Sequence, residues 1–297
     1  MKYLLLGGAG FIGTHLAKKL QSLNHDVVII DNLSTGIRPN WDVKFIHADV
    51  STFIDIEQYI ADADIVYFLA GSIGVEYIDK NPKYALNNNI NLMSCLIPHF
   101  EKYQKKVIFS STSEVYGDGP FIESGALHIG PPTKLRWAYA AAKLMTEFAV
   151  ASNTFPYTII RFFNIVGPGQ LPDYGMVLPK FIKSAKLGED IKVYGTGEQI
   201  RSFCHVSDAV DALIKLEKYN NEIFNIGADE PVSMNQLAQR VKELTNCSGN
   251  IVHIPYENVF SNQHADILSR IPDLSKLYQA IDYEPKYNLD HIIKDCL

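Results

Sequence analysis

Two residues four positions apart carry the sharpest chemical suggestion in this sequence. Tyr139 and Lys143, in Trp137-Ala138-Tyr139-Ala140-Ala141-Ala142-Lys143, fall one turn apart on a helix rich in alanine, so a phenol and an ammonium can point into the same cleft. A free tyrosine has a pKa of about 10, and a lysine cation beside it stabilises the phenolate and brings it toward working pH. Such a phenol is a general base for a hydroxyl proton. By itself a Y-x-x-x-K pair is equally two unrelated residues on an amphipathic helix, so its meaning depends on the rest of the chain. A second polar run, Ser110-Ser111-Thr112-Ser113-Glu114, follows an apolar strand at Val107 to Ser110 and offers four hydroxyls and one acid.

The stretch from Met1 to Asp31 gives the pair its context. Tyr3-Leu4-Leu5-Leu6 is a short apolar run, Gly7-Gly8-Ala9-Gly10-Phe11-Ile12-Gly13 is a glycine turn, His15 to Leu23 has helical spacing, and Val27-Val28-Ile29-Ile30-Asp31 is a second strand. Gly7 permits the tight turn, Gly10 lets a pyrophosphate approach the backbone at a helix N-terminus, and Gly13 lets the helix pack closely on the sheet. A carboxylate at Asp31 can accept hydrogen bonds from both hydroxyls of an adenosine ribose and repels a 2′-phosphate, which favours NAD over NADP. With a positively charged nicotinamide also nearby, Tyr139 would take a hydroxyl proton while hydride leaves the same carbon.

At 297 residues with a net charge of −6 and a pI of about 5.8, the chain has the length for one large or two intimately packed domains. It has no electrostatic footprint for nucleic acid, so small-molecule partners are expected. Cys95, Cys204, Cys247 and Cys296 are far apart, which argues against a zinc site or a disulfide framework and suits a reducing compartment. The apolar run after Lys2 is too short for a secretory signal, and no stretch approaches the length of a membrane span. A cytoplasmic, metal-free protein is the expectation.

The elements that position these residues alternate. A polar loop through Asn32, Ser34 and Gly36 leads to a strand at Val43 to Ile46, then Asp49-Val50, where Asp49 either faces an adenine edge or caps a helix from Ser51 to Ile60. Asp64 to Ala70 is a buried strand, and Gly71 to Val75 follows at its C-terminal end, where ligands sit in open α/β sheets. Pro82 to about Lys102 is a long helix, and Tyr157 to Phe163 a further strand. This is a doubly wound parallel sheet of Rossmann type, placed in residues 1–164. Beyond Asn164 glycine and proline recur, as where a chain leaves the sheet to build a pocket. Residues 165–297 are expected to form a smaller α/β substrate domain, with a return to the sheet around residues 204–227. Helices are expected at Phe181 to Leu187, Val206 to Lys218 and Asn235 to Leu244, and a strand at Phe224 to Ile226.

Seven strings give the chain a resemblance over nearly its whole length. They are G-G-A-G-F-I-G at Gly7, D-N-L-S-T-G at Asp31, S-S-T-S-E-V-Y-G at Ser110, R-W-A-Y-A-A-A-K at Arg136, R-F-F-N at Arg161, Y-G-M-V-L-P at Tyr174 and V-Y-G-T-G-E-Q-I-R at Val193. They resemble the extended short-chain dehydrogenase/reductases, specifically the NAD-dependent nucleotide-sugar epimerase/dehydratase branch. The resemblance implies that Thr112 bonds the sugar hydroxyl being oxidised, that Tyr139 is the base and that Lys143 holds the nicotinamide ribose and acidifies the tyrosine. Further NAD contacts are implied at Phe11, Ile12, Asn32, Ser34, Gly36, Asp49, Val50, Leu69, Ala70, Gly71, Asn89, Ser110 and Phe162. Asn164 would bind the substrate diphosphate with Arg201 and Arg270 as a cationic clamp. Met176, Val177, Leu178, Val193 and Tyr194 would line the nucleobase pocket, and Gly74 and Ser113 would edge the sugar. His15 and His205 have no acid or nucleophile at a catalytic spacing and are read as structural. A homodimer through the helices at Pro82 to Lys102 and Trp137 to Ala151 is implied.

The reaction expected from these strings is 4-epimerisation of a UDP-hexose or UDP-hexuronic acid through a transient 4-keto sugar. Glu114 keeps two rivals open, a 4,6-dehydratase and a UDP-uronate decarboxylase, both of which begin with the same oxidation and use a carboxylate on the sugar. A non-catalytic NAD-binding regulator would not need Thr112, Tyr139 and Lys143 together.

Overall fold

The apolar runs and helical stretches assemble into a seven-stranded parallel sheet. The structure, a computed structural model, describes residues 1–71, 81–134, 137–172, 176–259 and 267–297. Its first six strands are β1 (Lys2–Leu6), β2 (Asp26–Asp31), β3 (Lys44–His47), β4 (Ile65–Phe68), β5 (Lys106–Thr112) and β6 (Tyr157–Phe162). Later come β7 (Ile165–Val166), β8 (Ile191–Tyr194), β9 (Ile200–Arg201), β10 (Cys204–His205), β11 (Glu222–Ile226), β12 (Val232–Ser233), β13 (Ile251–Ile254) and β14 (Ser269–Arg270). The large sheet has the order β11-β6-β5-β4-β1-β2-β3, and every pairing in it is parallel.

Successive side chains of a strand face opposite sides of a sheet, and helices cover both sides here. The helices are α1 (Phe11–Ser22), α2 (Ile56–Asp62), α3 (Pro82–Tyr103), α4 (Trp137–Ala151), α5 (Val177–Lys186), α6 (Val206–Lys215), α7 (Met234–Thr245), α8 (Ser275–Ala280) and α9 (Leu289–Asp295). Tyr3 and Leu5 of β1 pack with Leu16 and Leu20 of α1 and Leu213 of α6. Leu4 and Leu6 pack on the other side with Ile60 of α2 and Leu96 and Phe100 of α3. A separate core joins Leu178 and Phe181 of α5 to Leu237 and Val241 of α7 and to Ile292 and Ile293 of α9. No helix among the described residues is long and apolar enough to cross a membrane.

Three helices start away from their expected positions, and the first of them, α1, begins at Phe11, four residues before His15. α2 begins at Ile56 instead of Ser51, because the Asp49 carboxylate accepts from the Ser51 backbone N–H at 2.9 Å and from its hydroxyl at 2.6 Å, closing a turn that diverts the chain from helix. α5 begins at Val177, four residues before Phe181. Pro179 falls in its first turn, where the backbone has no intrahelical acceptor to satisfy, so proline does not stop the helix.

Candidate functional site

At the C-terminal ends of β1, β2, β4 and β5 lies a cavity of about 860 Å³. The glycine turn forms its floor. Gly7 has φ +80°, and a Cβ there would lie 2.5 Å from the Ala70 backbone nitrogen, so no other residue fits. A Cβ on Gly13 would lie 2.6 Å from the Gly8 Cα, so the helix lies directly against the glycine turn. At Gly10, the residue that precedes α1, a Cβ would meet only the Gly7 carbonyl, at 3.4 Å, and would otherwise project into free space over the helix N-terminus. That vacancy suits a pyrophosphate.

Asp31 ends β2 at one side of the cavity and is 8 % exposed. Its carboxylate accepts from Ala9 N–H at 3.0 Å and Leu33 N–H at 2.7 Å, while burial pushes its pKa up. Gly36 does not line the cavity but lets the following loop lie on the glycine turn, with Ile37 N–H donating to the Ala9 carbonyl at 3.0 Å. Asn32 and Asp49 both line the cavity and are joined by a 3.0 Å hydrogen bond. Phe11, Ile12, Ser34, Val50, Leu69, Ala70, Gly71 and Phe162 complete the wall on this side.

The polar end of the cavity brings together β5, α4 and the segment after β6. Thr112, Ser113, Glu114, Tyr139, Lys143, Asn164 and Arg270 all border it, together with Ser110. Lys143 is 3 % exposed. Its ammonium donates to the Ser110 carbonyl at 2.9 Å and lies 4.9 Å from the centre of the Phe109 ring. Burial lowers its pKa to about 8, with the Glu147 carboxylate acting in opposition. The Tyr139 phenol is pushed up, by burial first and by the Glu114 carboxylate second, against a hydrogen bond with Thr112 and the Arg270 charge. Burial dominates the phenol, and the Lys143 ammonium is engaged at the Ser110 carbonyl.

Arg270, on β14, forms an ion pair with Glu114 through Nη1 and donates through Nη2 to Asn164 Oδ1 at 2.9 Å. The Asn164 amide in turn donates to the Ser202 carbonyl at 2.9 Å. Arg270 therefore stands near the Tyr139 phenol, whose ionisation its charge affects, and not beside Asn164 alone. Arg201 is its register partner on β9 and donates to the Ile200 carbonyl at 2.8 Å, but it does not border this cavity.

Several expected contacts are elsewhere. Leu178 and Val193 are fully buried in the core between α5 and α7, and Val177 packs against it. Apolar side chains on the inner faces of α5 and β8 are taken up by that core, so Met176, just before α5, is the residue of its group that reaches the cavity. Val193 and Tyr194 belong to β8, paired with β13 away from the cavity lining. Asn89 is buried on α3 and donates to the Ala85 carbonyl at 2.9 Å, while Asn88 and Leu92 line the cavity instead. Gly74, Ser72, Arg136, Tyr174 and Gly175 lie outside the described residues.

Residues 3–227 match the profile of the NAD dependent epimerase/dehydratase family. The chain belongs to that family. NAD is its cofactor, as the Gly10 vacancy and the Asp31 carboxylate fit. The chain is 36% identical to a UDP-N-acetyl-alpha-D-glucosaminuronate decarboxylase of Bacillus cytotoxicus, over 99% of this chain and 96% of that protein. It is 33% identical to UDP-glucuronic acid decarboxylase 3 of Arabidopsis thaliana, over 97% of this chain and 86% of that one. Among solved structures, a UDP-glucose 4-epimerase of Thermotoga maritima in complex with UDP-glucose aligns with a TM-score of 0.82 at 29% identity, covering 99% of this chain and 96% of that one.

Of the two histidines that the sequence reading takes as structural in this epimerase/dehydratase family member, His15 lies on the cavity lining and His205 does not. His205 caps α6 by accepting from Ser207 N–H at 3.1 Å and contacts Asp295 at 3.0 Å; His15 contacts the Pro168 carbonyl at 2.9 Å. Sequence reasoning missed Gln170, Arg38 and Trp41, which also border the cavity; loop side chains have no periodicity to announce where they point. It also missed the buried pair of Glu147 and Arg161, in which Nη2 donates to Oε2 at 2.7 Å. The spacing of Glu147, four residues after Lys143, was the available signal.

Proposed function

We propose that this enzyme is a UDP-hexuronate decarboxylase, which takes the place of the 4-epimerase expected from sequence. The observation that carries the reading is the Arg270–Glu114 pair at the same end of the cavity as Thr112 and Tyr139. A guanidinium at a partly desolvated site needs an anionic partner, and breaking such a pair without replacing it is costly. A hexuronate brings a carboxylate that can replace Glu114 on Arg270, whereas a neutral hexose brings none. The decarboxylases of Bacillus cytotoxicus and Arabidopsis thaliana, matched along nearly the whole chain, support the same choice.

The cofactor, held over Gly10 and by Asp31, supplies a hydride acceptor and donor at carbon 4 of the sugar. Thr112 orients the 4-hydroxyl, and Tyr139 takes its proton. Lys143 provides positive charge near the cofactor ribose. Arg270 holds the sugar carboxylate, which becomes β to a carbonyl once carbon 4 is a ketone; the bond between carbons 5 and 6 then breaks with loss of carbon dioxide. Glu114, released from Arg270, is the group assigned to take up a proton from solvent and deliver it to carbon 5. Tyr139 returns its proton as the ketone is reduced, leaving a UDP-pentose. Asn164 and Arg201 remain the candidates for the diphosphate, and a cytoplasmic homodimer is the assembly proposed.

Proton NMR of the protein with UDP-glucuronate, UDP-N-acetylglucosaminuronate, UDP-glucose and UDP-N-acetylglucosamine in deuterated water tests this. The expected result is a uronate losing carbon dioxide to give a pentose with deuterium at carbon 5. Interconversion of neutral 4-epimers with no carbon dioxide release would restore the epimerase reading.

A further inference from the structure

Tyr139, Lys143 and Glu147 follow one another at four-residue spacing along α4 and so share a helical face. Glu147 is held from two strands. Arg161 on β6 donates to both carboxylate oxygens, Nε to Oε1 at 3.1 Å and Nη2 to Oε2 at 2.7 Å, and Ser111 on β5 donates its hydroxyl to Oε1. Lys143, Glu147 and Arg161 are 3 %, 4 % and 2 % exposed. Water therefore does little to screen their charges from one another.

We propose that Glu147, seated by Arg161 and Ser111 one helical turn from Lys143, is a positioning residue whose buried carboxylate keeps the Lys143 side chain cationic where the Ser110 carbonyl holds it at the cofactor cavity. The inference goes beyond the proposed reaction and rests on that reading only for the role of Lys143 beside the cofactor; it does not depend on which sugar is turned over. Burial drives the Lys143 ammonium toward its neutral form, with a value near 8, and Glu147 opposes the drift. Among the described residues, Glu147 is the anion whose charge acts on Lys143. On its own helix Lys143 has Tyr139 one turn before and Glu147 one turn after. From β5 come the Ser110 carbonyl and the Ser111 hydroxyl, both uncharged. From α3 comes the uncharged Asn89, which with Lys143 flanks Gly71: a Cβ on Gly71 would lie 2.7 Å from Asn89 Oδ1 and 3.2 Å from Lys143 Nζ. From β6 comes Arg161, whose positive charge is compensated by Glu147. Removing the carboxylate alone thus deprives Lys143 of an anion and uncovers a second buried cation, and both effects favour loss of the ammonium proton.

The test is a pH titration of Lys143 by NMR in protein labelled with carbon-13 at the lysine ε carbon, the signal being assigned with Lys143→Arg. Glu147→Gln is expected to lower the Lys143 midpoint by about one pH unit or more, and the basic limb of activity with a UDP-uronate should move down with it. Should Glu147→Gln fail to fold, Glu147→Leu/Arg161→Met replaces the whole pair by apolar residues of similar size, a change buried ion pairs often tolerate; the midpoint is again expected to fall. A midpoint that is unchanged or raised in whichever variant folds overturns the inference. If wild-type protein turns over no UDP-uronate, the proposed reaction fails while the titration remains readable.

Discussion

The ionisation of Tyr139 depends on two charged neighbours of opposite sign. Glu114 raises its pKa and Arg270 lowers it, so the two can be separated by mutation. Replacing Glu114 by Gln removes a negative charge, lowers the phenol pKa and makes the phenolate available at lower pH. The acidic limb of initial NAD reduction with a UDP-uronate, followed by absorbance in the first turnover, should therefore shift to lower pH in Glu114→Gln even though no pentose forms. Arg270→Met should shift it the other way and weaken uronate binding. Tyr139→Phe should lower turnover by about 10²–10⁴-fold, the usual share of a general base, while substrate affinity measured by calorimetry is retained. These residues were legible in the sequence because they lie in short local strings, Thr112 to Glu114 and Tyr139 to Lys143. The link from Glu114 to Arg270 spans 156 positions, and no local spacing could reveal it.

At the scale of elements, the turn between β1 and α1 is specified by contacts that only glycine permits. Gly7→Ala would place a methyl group 2.5 Å from the Ala70 backbone at a positive φ, and should cost about 1–3 kcal/mol or more of stability, read as a lowered denaturation midpoint with impaired NAD binding. α3 and α4 pack on each other, yet Met145 and Phe148 of α4 are 48 % and 69 % exposed and Tyr84 of α3 is 53 % exposed. Apolar side chains on such a face suit a second copy of the chain. Phe148→Glu should move sedimentation toward the monomer if the proposed dimer uses this face. α1, α3 and α4 could be read in advance because their apolar positions recur at helical spacing over many residues. At α5 the resemblance implies that Met176, Val177 and Leu178 line a nucleobase pocket, whereas Leu178 packs in a core shared with α7 and Val177 packs against it. A sequence shows that a face is apolar without showing whether protein or ligand covers it.

For the molecule as a whole, NAD bound in the cavity at the ends of β1, β2, β4 and β5, as proposed, should stabilise all of the folded chain together. At about 100 times its dissociation constant a ligand specific for the native state adds about 2.7 kcal/mol; NAD should raise the thermal midpoint in scanning calorimetry and NADP should not, because Asp31 is buried where a 2′-phosphate would come. The large sheet was readable from its long apolar runs. β7, β9, β10, β12 and β14 were not, since each has two residues and exists through pairing with distant chain rather than through a local pattern. The position of β11 also bears on how the protein is made. Six strands of the large sheet are complete by Phe162, but the strand that covers the outer edge of β6 is not supplied until Glu222 to Ile226. A nascent chain halted between those points would carry β6 as an open edge, with unpaired backbone donors and acceptors and with Ile159 and Ile160 less well covered than in the finished protein. Ribosome-bound or truncated forms ending near residue 163 should therefore be the ones that recruit chaperones or aggregate, and extension past Ile226 should relieve it.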